Sequence, residues 1–485
     1  MNQIKLYLSV FICGFVVMAF EIIGSRVLAP YVGASVFVWV SIIGVILLAM
    51  SGGYYLGGQR ADRGAKTNEL ARLILMAATF MCLMNLGKEF MLRQLIKLSW
   101  PLLVKSTLGS LLLFSIPAFF LAAVFPYALR LALTNIEDSG KTTGRFYAIS
   151  TLGSILGTFL SATVLIPSFG TSNIIWMLAA LLMITALILF YSSKIRNEGV
   201  AGLALVWFSS SQANQNQGFL DIDTEYNRVW IYENQLSDRP TKHMALNGHV
   251  NSGMYLDDPV VDQVYAYANY FRLAEYFNPG FENALMLGAG AYSFPKLFQH
   301  NWPDRTLTVV EIDEQLTALS EEHFSFDKGL NTTLVHEDAR TYLQRTDERF
   351  DVIFSDVFTS PLDVPFQLTT QECYQAQFDR LNDNGVLIVN VLGSWEGEHS
   401  IFLKSQVKTA QSVFNEVRLI EVSESSKGSV KNNMLIAMKG SSAETEADSL
   451  QLQMLKNERF PVLDKRVPFM TDDYAPANWL LANQR

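Results

Sequence analysis

Leu285-Met-Leu-Gly288-Ala-Gly290-Ala-Tyr292 opens a rhythm that decides the reading of this chain. An apolar run ends in a Gly-x-Gly turn. Three more apolar runs then end in carboxylates: Val309-Val-Glu311-Ile-Asp313, the stretch up to His336-Glu-Asp338-Ala339, and Phe350-Asp-Val-Ile-Phe-Ser-Asp356. In a parallel sheet such ends share one edge, and ligands bind there. Glycine lets the backbone approach a ligand closely, and an acid at the next strand end suits the two hydroxyls of a ribose. The pattern predicts a nucleoside-cofactor site.

Working outward, strands are predicted at 283–288, 306–311, 332–336, 351–356, 385–391, 416–422 and 433–439. Helices are predicted at 293–300, 314–324, 339–345, 370–381 and 399–413. Such alternation implies a mostly parallel, doubly wound, Rossmann-like sheet. The last two strands, with no helix between them, predict an antiparallel pair, common in methyltransferase-type sheets. Upstream, Asp221–Tyr232, Lys242–Leu246 and Gly253–Leu256 read as short strands, with Asn247-Gly248 as a turn, and so as a small β subdomain. Pro259–Phe277, rich in Tyr and Phe, reads as helical. Ser209–Gly218 is polar and uncharged, a linker composition.

The first part of the chain is of another kind. Mean hydropathy is +0.19 and half of the 485 residues are hydrophobic, with the excess lying before residue 194. Apolar segments at roughly 5–29, 36–58, 69–87, 107–133, 147–167 and 172–193 each reach the ~20 residues that cross a bilayer. The first is too long for a signal peptide and lacks a small-residue cleavage site. A further run, 200–208, is too short to span. The chain is therefore expected to divide into a helical transmembrane domain (1–196), a linker (197–218), the small β subdomain (219–257) and the Rossmann-like domain (258–485).

Arg60, Arg63, Lys66 and Arg72, then Arg130, Lys141 and Arg145, then Lys194 and Arg196, load one side of these spans. By the positive-inside rule both termini are cytoplasmic. Lys88, Arg93, Lys97 and Lys105 fall on the other side and blur the bias. Glu21 and Arg26 sit at a depth where ionisable groups are costly, which suits a substrate path or a structural ion pair. Pro117 and Pro126 are expected to kink the fourth span. Gly153-Ser-Ile-Leu-Gly157 fits close helix packing.

The formal charge of −9 comes largely from the C-terminal half and argues against nucleic-acid partners. The three cysteines, Cys13, Cys82 and Cys373, are scattered and suggest no disulfide framework. The six histidines show no metal-ligand spacing, so no metal is expected.

Taken together, these motifs resemble the spermidine synthase (polyamine aminopropyltransferase) family, in its membrane-fused bacterial branch. The resemblance covers about residues 219–440. Glu21 through Pro30-Tyr31, Gly57-Gly58-Gln-Arg60-Ala-Asp62-Arg63 and Thr471-Asp472-Asp473-Tyr474-Ala-Pro476 also look like that branch. It implies an integral protein of the inner membrane with a cytoplasmic catalytic domain. Decarboxylated S-adenosylmethionine would be the donor and an amine such as putrescine the acceptor, and a homodimer is an option because soluble relatives often pair. It assigns Gly288 and Gly290 to the cofactor turn, Glu311 to the ribose, Asp338 and Ala339 to the adenine, Asn227 to the cofactor's vicinity and Asp356 to proton acceptance. A free amine of pKa ~10 and an ordinary Asp of ~3.9 leave a transfer cost of about 8 kcal/mol, so burial must narrow that gap.

On the amine side the chain departs from the family. Gly-Gly-Gly-Asp-Gly is replaced by Gly288-Ala289-Gly290-Ala291-Tyr292, and discrimination against the donor's carboxylated form is expected to weaken. Asp-x-x-Asp becomes Asp356-Val-Phe-Thr359, with Asp363 a substitute. Tyr-His-Glu becomes Tyr265-Ala266-Tyr267, and Leu-Asp-Gly-x-x-Gln becomes Leu246-Asn247-Gly248-His249-Val250-Asn251. Tyr265, Asp363 and Asp473 are candidate amine contacts, with Asp257, Asp258 and Asp472 as further sources of negative charge. Two alternatives remain open: a methyltransferase that uses S-adenosylmethionine, and a polyamine transporter or sensor whose enzyme domain is degenerate.

Overall fold

The computed structural model describes residues 3–33, 35–98, 100–133, 135, 138–189, 219–357, 364–397, 400–422, 431–440, 446–463 and 467–482. The expected linker, the 200–208 run, Lys194, Arg196 and Asp363 lie outside these residues. The chain forms two compact units, Met1–Gln217 and Gly218–Arg485.

The first unit is helical: α1 Gln3–Val32, α2 Val36–Asp62, α3 Thr67–Ile96, α4 Leu102–Ala132, α5 Ser139–Leu160 and α6 Thr171–Leu189. α5 runs on through a π turn, Ser161–Leu165, into a last turn that holds Pro167. Among the described residues, six helices are long and apolar enough to cross a membrane. Glycine sets the closest approaches. A Cβ on Gly153 or Gly157 would lie 2.1 or 2.3 Å from the carbonyl oxygens of Phe11 and Phe15, so α1 and α5 touch backbone to backbone, as the small-x-x-x-small spacing predicts. Gly53 plays the same part between α2 and α4, 2.2 Å from the Phe119 carbonyl oxygen. Pro117 and Pro126 both lie inside the continuous α4.

Two of the four cations that blurred the charge bias are buried in this unit. Lys88 donates to Asn85 Oδ1 (2.8 Å) and Ser172 Oγ (2.6 Å), and Lys105 is 4% exposed. They belong to the packing of the helices, and loop charge is what the positive-inside rule counts.

The second unit opens with an antiparallel sheet of β1 Phe219–Asp223, β2 Arg228–Leu236, β3 Arg239–Leu246 and β4 His249–Tyr255. The segment read as one strand, Asp221–Tyr232, is a hairpin: Thr224–Asn227 turn the chain, with the Thr224 N–H on the Asn227 carbonyl (2.7 Å). The helix expected over Pro259–Phe277 is reduced to α7 Tyr267–Tyr270 and α8 Leu273–Phe277. Before them Asp258 turns the chain by accepting from the Val260 and Val261 N–H groups.

β5 Asn283–Leu287, α9 Ser293–Asn301, β6 Thr306–Val310, α10 Glu314–His323, β7 Thr332–Val335, α11 Ala339–Arg345, β8 Phe350–Ser355, α12 Gln371–Arg380, β9 Leu381–Gly393, α13 Ile401–Ala410, β10 Glu416–Glu421 and β11 Lys431–Met438 follow the expected order closely. Two short helices, α14 Ser449–Leu455 and α15 Ala477–Ala482, complete the unit. The seven-stranded sheet runs β10-β11-β9-β8-β5-β6-β7. β5 to β9 are mutually parallel, and β11 is antiparallel to both neighbours. Apolar layers cover both faces of this sheet. From β5 the chain winds outward through β6 and β7, then returns to the far side for β8, so the topological switch falls between β5 and β8. A crevice opens there by the geometry of any doubly wound sheet.

Candidate active site

A cavity of about 530 Å³ lies at that switch point. Each parallel strand delivers its terminal residue to it: Gly288, Ala289 and Gly290 after β5, Glu311 after β6, Glu337, Asp338 and Ala339 after β7, Asp356 after β8. The small sheet closes the other side with Asn227, Asn251 and Ser252, and Tyr265 and Tyr267 stand beside it.

The glycine turn is required by geometry. Gly288 has φ +78° and a Cβ there would lie 2.4 Å from the Asp356 carbonyl oxygen. Gly290 has φ +54°, with Ser252 Oγ 2.7 Å from where its Cβ would be. Side chains rarely adopt this backbone, and the close approach forbids one here. The turn is clamped by Glu311, whose carboxylate accepts the N–H of Ala289 (2.9 Å) and of Asp313 (3.1 Å). Burial pushes the Glu311 carboxyl upward against the pull of these donors.

Asp338 caps α11: its Oδ1 accepts the Thr341 N–H (2.9 Å). This acid holds the helix start and the cavity wall at once. Asn227 lines the cavity, but its amide is committed, with Nδ2 donating to Asp313 (3.0 Å) and Oδ1 accepting from Asn247 (3.0 Å). Asp313 also takes the Thr224 hydroxyl and is 1% exposed. Asn227 and Asp313 thus tie the small sheet to the loop after β6.

Asp356 is half-buried. Asn390 Nδ2, on β9, donates to its Oδ1 (2.9 Å), and the Tyr267 hydroxyl hydrogen-bonds to it as well as lying 3.3 Å from the Asn251 carbonyl. Desolvation outweighs these donors and raises the Asp356 carboxyl to about 6. With Nδ2 spent on Asp356, Asn390 Oδ1 is buried without a hydrogen-bond partner.

Of the amine-side candidates, Tyr265 lines the cavity and Asp473 does not. Asp473 is exposed in the Thr471–Tyr474 turn, whose other acid, Asp472, is bound to Arg340 (3.0 Å) and Thr370 (2.6 Å). Asp257 is held by Arg239 (2.8 Å), and Asp258 is spent on its turn. Ala291 is fully buried and absent from the cavity wall; its N–H donates to Ser252 Oγ (3.2 Å), so Ser252 stands over the turn there.

Ser252, Glu337, Asn390 and Asn432 were not singled out by sequence. Asn390 left a signal, a lone amide inside the apolar run Val386–Val391. The other three carry no local mark, and Tyr267 was noted only as part of the stretch that replaces Tyr-His-Glu. The described lining holds four carboxylates, Glu311, Glu337, Asp338 and Asp356, and no Lys, Arg or His. Glu337 is paired with Arg345 (2.7 Å), and the other three make a wall that attracts cations and disfavours a ligand carboxylate.

Residues 274–431 match the family model described as Spermine/spermidine synthase domain. A polyamine aminopropyltransferase of Vibrio vulnificus (strain CMCP6) is 27% identical over 271 residues, 53% of this chain and 88% of that protein. One of Thermococcus onnurineus (strain NA1) is 28% identical over 177 residues, 35% of this chain and 57% of its own length. Among solved structures, a spermidine synthase from Thermotoga maritima aligns with TM-score 0.39 and 19% identity over 53% of this chain and 82% of that one.

Proposed function

We propose that this chain, which belongs to the spermine/spermidine synthase family through residues 274–431, is an aminopropyltransferase that moves the aminopropyl group of decarboxylated S-adenosylmethionine to an amine such as putrescine. The observation that carries the choice of donor is the charge of the cavity: four carboxylates with no cation among the described lining residues. The decarboxylated donor is a sulfonium with a terminal ammonium. Ordinary S-adenosylmethionine adds a carboxylate that this wall leaves unpaired in a partly desolvated site.

Glu311 takes the ribose hydroxyls with the lone pairs left by Ala289 and Asp313, while the Gly288–Gly290 turn lets the donor lie against the backbone. Asp338 and Ala339 border the base. Neutral amine nitrogen attacks the carbon next to the sulfonium, the carbon–sulfur bond breaks with its electron pair left on sulfur, and methylthioadenosine departs. The proton lost from the amine goes to Asp356. With that carboxyl near 6 and the amine near ~10, the transfer cost falls to about 5 kcal/mol, and desolvation of the amine narrows it further. Tyr267 and Asn390 hold the carboxylate in place, so much of the rate comes from aim.

The six apolar helices among the described residues support an integral membrane protein, and the Lys and Arg of the 59–72 and 130–145 loops support a cytoplasmic catalytic unit. Donor preference tests the reading. Calorimetric titration of the full-length protein in detergent should give at least tenfold tighter binding of the decarboxylated donor, ~1.4 kcal/mol. Tighter binding of ordinary S-adenosylmethionine would overturn it in favour of methyl transfer.

A further inference from the structure

Beside the cavity runs a chain of hydrogen bonds that the transfer chemistry has not used. The Tyr265 hydroxyl lies 2.9 Å from His243 Nδ1, His243 Nε2 lies 2.9 Å from Thr241 Oγ, and Thr241 Oγ lies 3.1 Å from the Asn234 carbonyl oxygen. The small sheet builds this row. Thr241 and His243 are two apart on β3 and share a face. Asn234 pairs with Thr241 across β2, while Tyr232 and Gly253 flank His243 on either side. Tyr232 stacks on the imidazole with ring centroids 5.4 Å apart. At Gly253 a Cβ would sit 3.1 Å from the Tyr265 ring and 3.2 Å from His243 Nδ1, so glycine keeps the two in reach.

The direction of the row is fixed at its inner end. A backbone carbonyl only accepts, so the Thr241 hydrogen goes to Asn234; reversal would leave two oxygens 3.1 Å apart with no hydrogen between them. Thr241 Oγ then accepts from His243 Nε2–H. A neutral imidazole has one donor and one acceptor nitrogen, so Nδ1 is bare and takes the Tyr265 hydrogen. Burial, which lowers the His243 pKa, keeps the ring neutral. The Tyr265 oxygen is left with lone pairs only for the cavity it lines. The Tyr267 hydroxyl is shared between the Asn251 carbonyl (3.3 Å) and Asp356, and Asn390 Oδ1 is a buried acceptor without a donor.

We infer that His243 is a positioning and specificity residue: by taking the Tyr265 hydrogen it turns that hydroxyl into an obligate acceptor and completes a surface that receives an ammonium group, a donor of three hydrogens and acceptor of none, in preference to a neutral hydroxyl. This rests on the aminopropyl-transfer reading, and the experiment separates the two. In full-length protein in detergent, His243→Phe should raise the KM for the amine about tenfold, the loss of one hydrogen bond to a charged group. kcat and the dissociation constant of the decarboxylated donor should stay within about twofold. His243→Asn, whose Oδ1 sits near the position of Nδ1, should restore the KM. In a Tyr265→Phe background His243→Phe should add less than about twofold, because the two act through one bond.

Gly253→Ala offers an independent route, since it wedges the pair apart while leaving both residues unsubstituted, and it should move the KM in the same direction even where His243→Phe fails to fold. An unchanged amine KM in both His243→Phe and Gly253→Ala, or equal loss in His243→Asn and His243→Phe, would overturn the inference while the transfer reading stood. Absence of any aminopropylated product from the unmutated protein would overturn both.

Discussion

Asp356→Asn separates the cost of the site from its chemistry. The carboxyl is raised from 3.8 to about 6 by burial, a shift of about 2 units or about 3 kcal/mol. The sign follows from linkage. For an acid with a raised folded pKa the penalty is fully present above pH 6, fades as pH falls through 6, and is gone below pH 4, where folded and unfolded states are both protonated. Asparagine keeps the shape and can still accept from Asn390 through its Oδ1, but carries no charge. The variant should therefore be more stable than the parent at pH 8 by about 1–3 kcal/mol and equal to it at pH 4. At about 2–4 °C per kcal/mol, thermal unfolding in detergent at the two pH values resolves this. Turnover should fall at least about 100-fold through loss of the proton acceptor. A variant less stable than the parent by the same amount at both pH values, with turnover intact, would make Asp356 a structural strand-end cap and not a proton acceptor.

Asn390→Leu removes a donor that holds the Asp356 carboxyl down, so the acid limb of kcat/KM, set near pH 6, should move upward by roughly one unit; an unmoved limb in a pH–rate profile would detach Asn390 from the site. Gly290→Ala forces a Cβ against Ser252 Oγ in left-handed backbone, at about 1–2 kcal/mol, and titration should show donor affinity reduced about tenfold. In the helical unit, Gly157→Leu drives a side chain into the Phe15 carbonyl 2.3 Å from the Cβ position, and size-exclusion chromatography in detergent should show loss of the monodisperse folded protein.

The strand–helix beat from Leu285 to Met438 was legible because both faces of a parallel sheet are buried, so its strands are unbroken apolar runs. Their ends, marked by Gly288, Glu311, Asp338 and Asp356, gave the strand-end wall of the cavity for the same reason. The tail pair β10–β11 was legible from a missing helix. The stretch Pro259–Phe277 was not, because its tyrosines and phenylalanines pack against the cavity and core, whatever their local helical spacing. The opposite wall is built by tertiary contact. Ser252 reaches the glycine turn 39 positions away and Tyr267 meets the β8 end, and neither proximity leaves a periodic trace. Asn227 carried the opposite lesson: it was assigned a place near the donor and does line the cavity, yet its hydrogen bonds go to Asp313 and Asn247.

The measurement closest to the central claim is a mass-spectrometric product assay on the full-length protein in detergent, offering decarboxylated and ordinary S-adenosylmethionine with a panel of amines and with Asp356→Asn as control. An aminopropylated amine and methylthioadenosine should form in equal amounts from the decarboxylated donor, both lost in the variant. A methylated amine from the ordinary donor, or no transfer from either donor despite bound nucleoside, would contradict that claim.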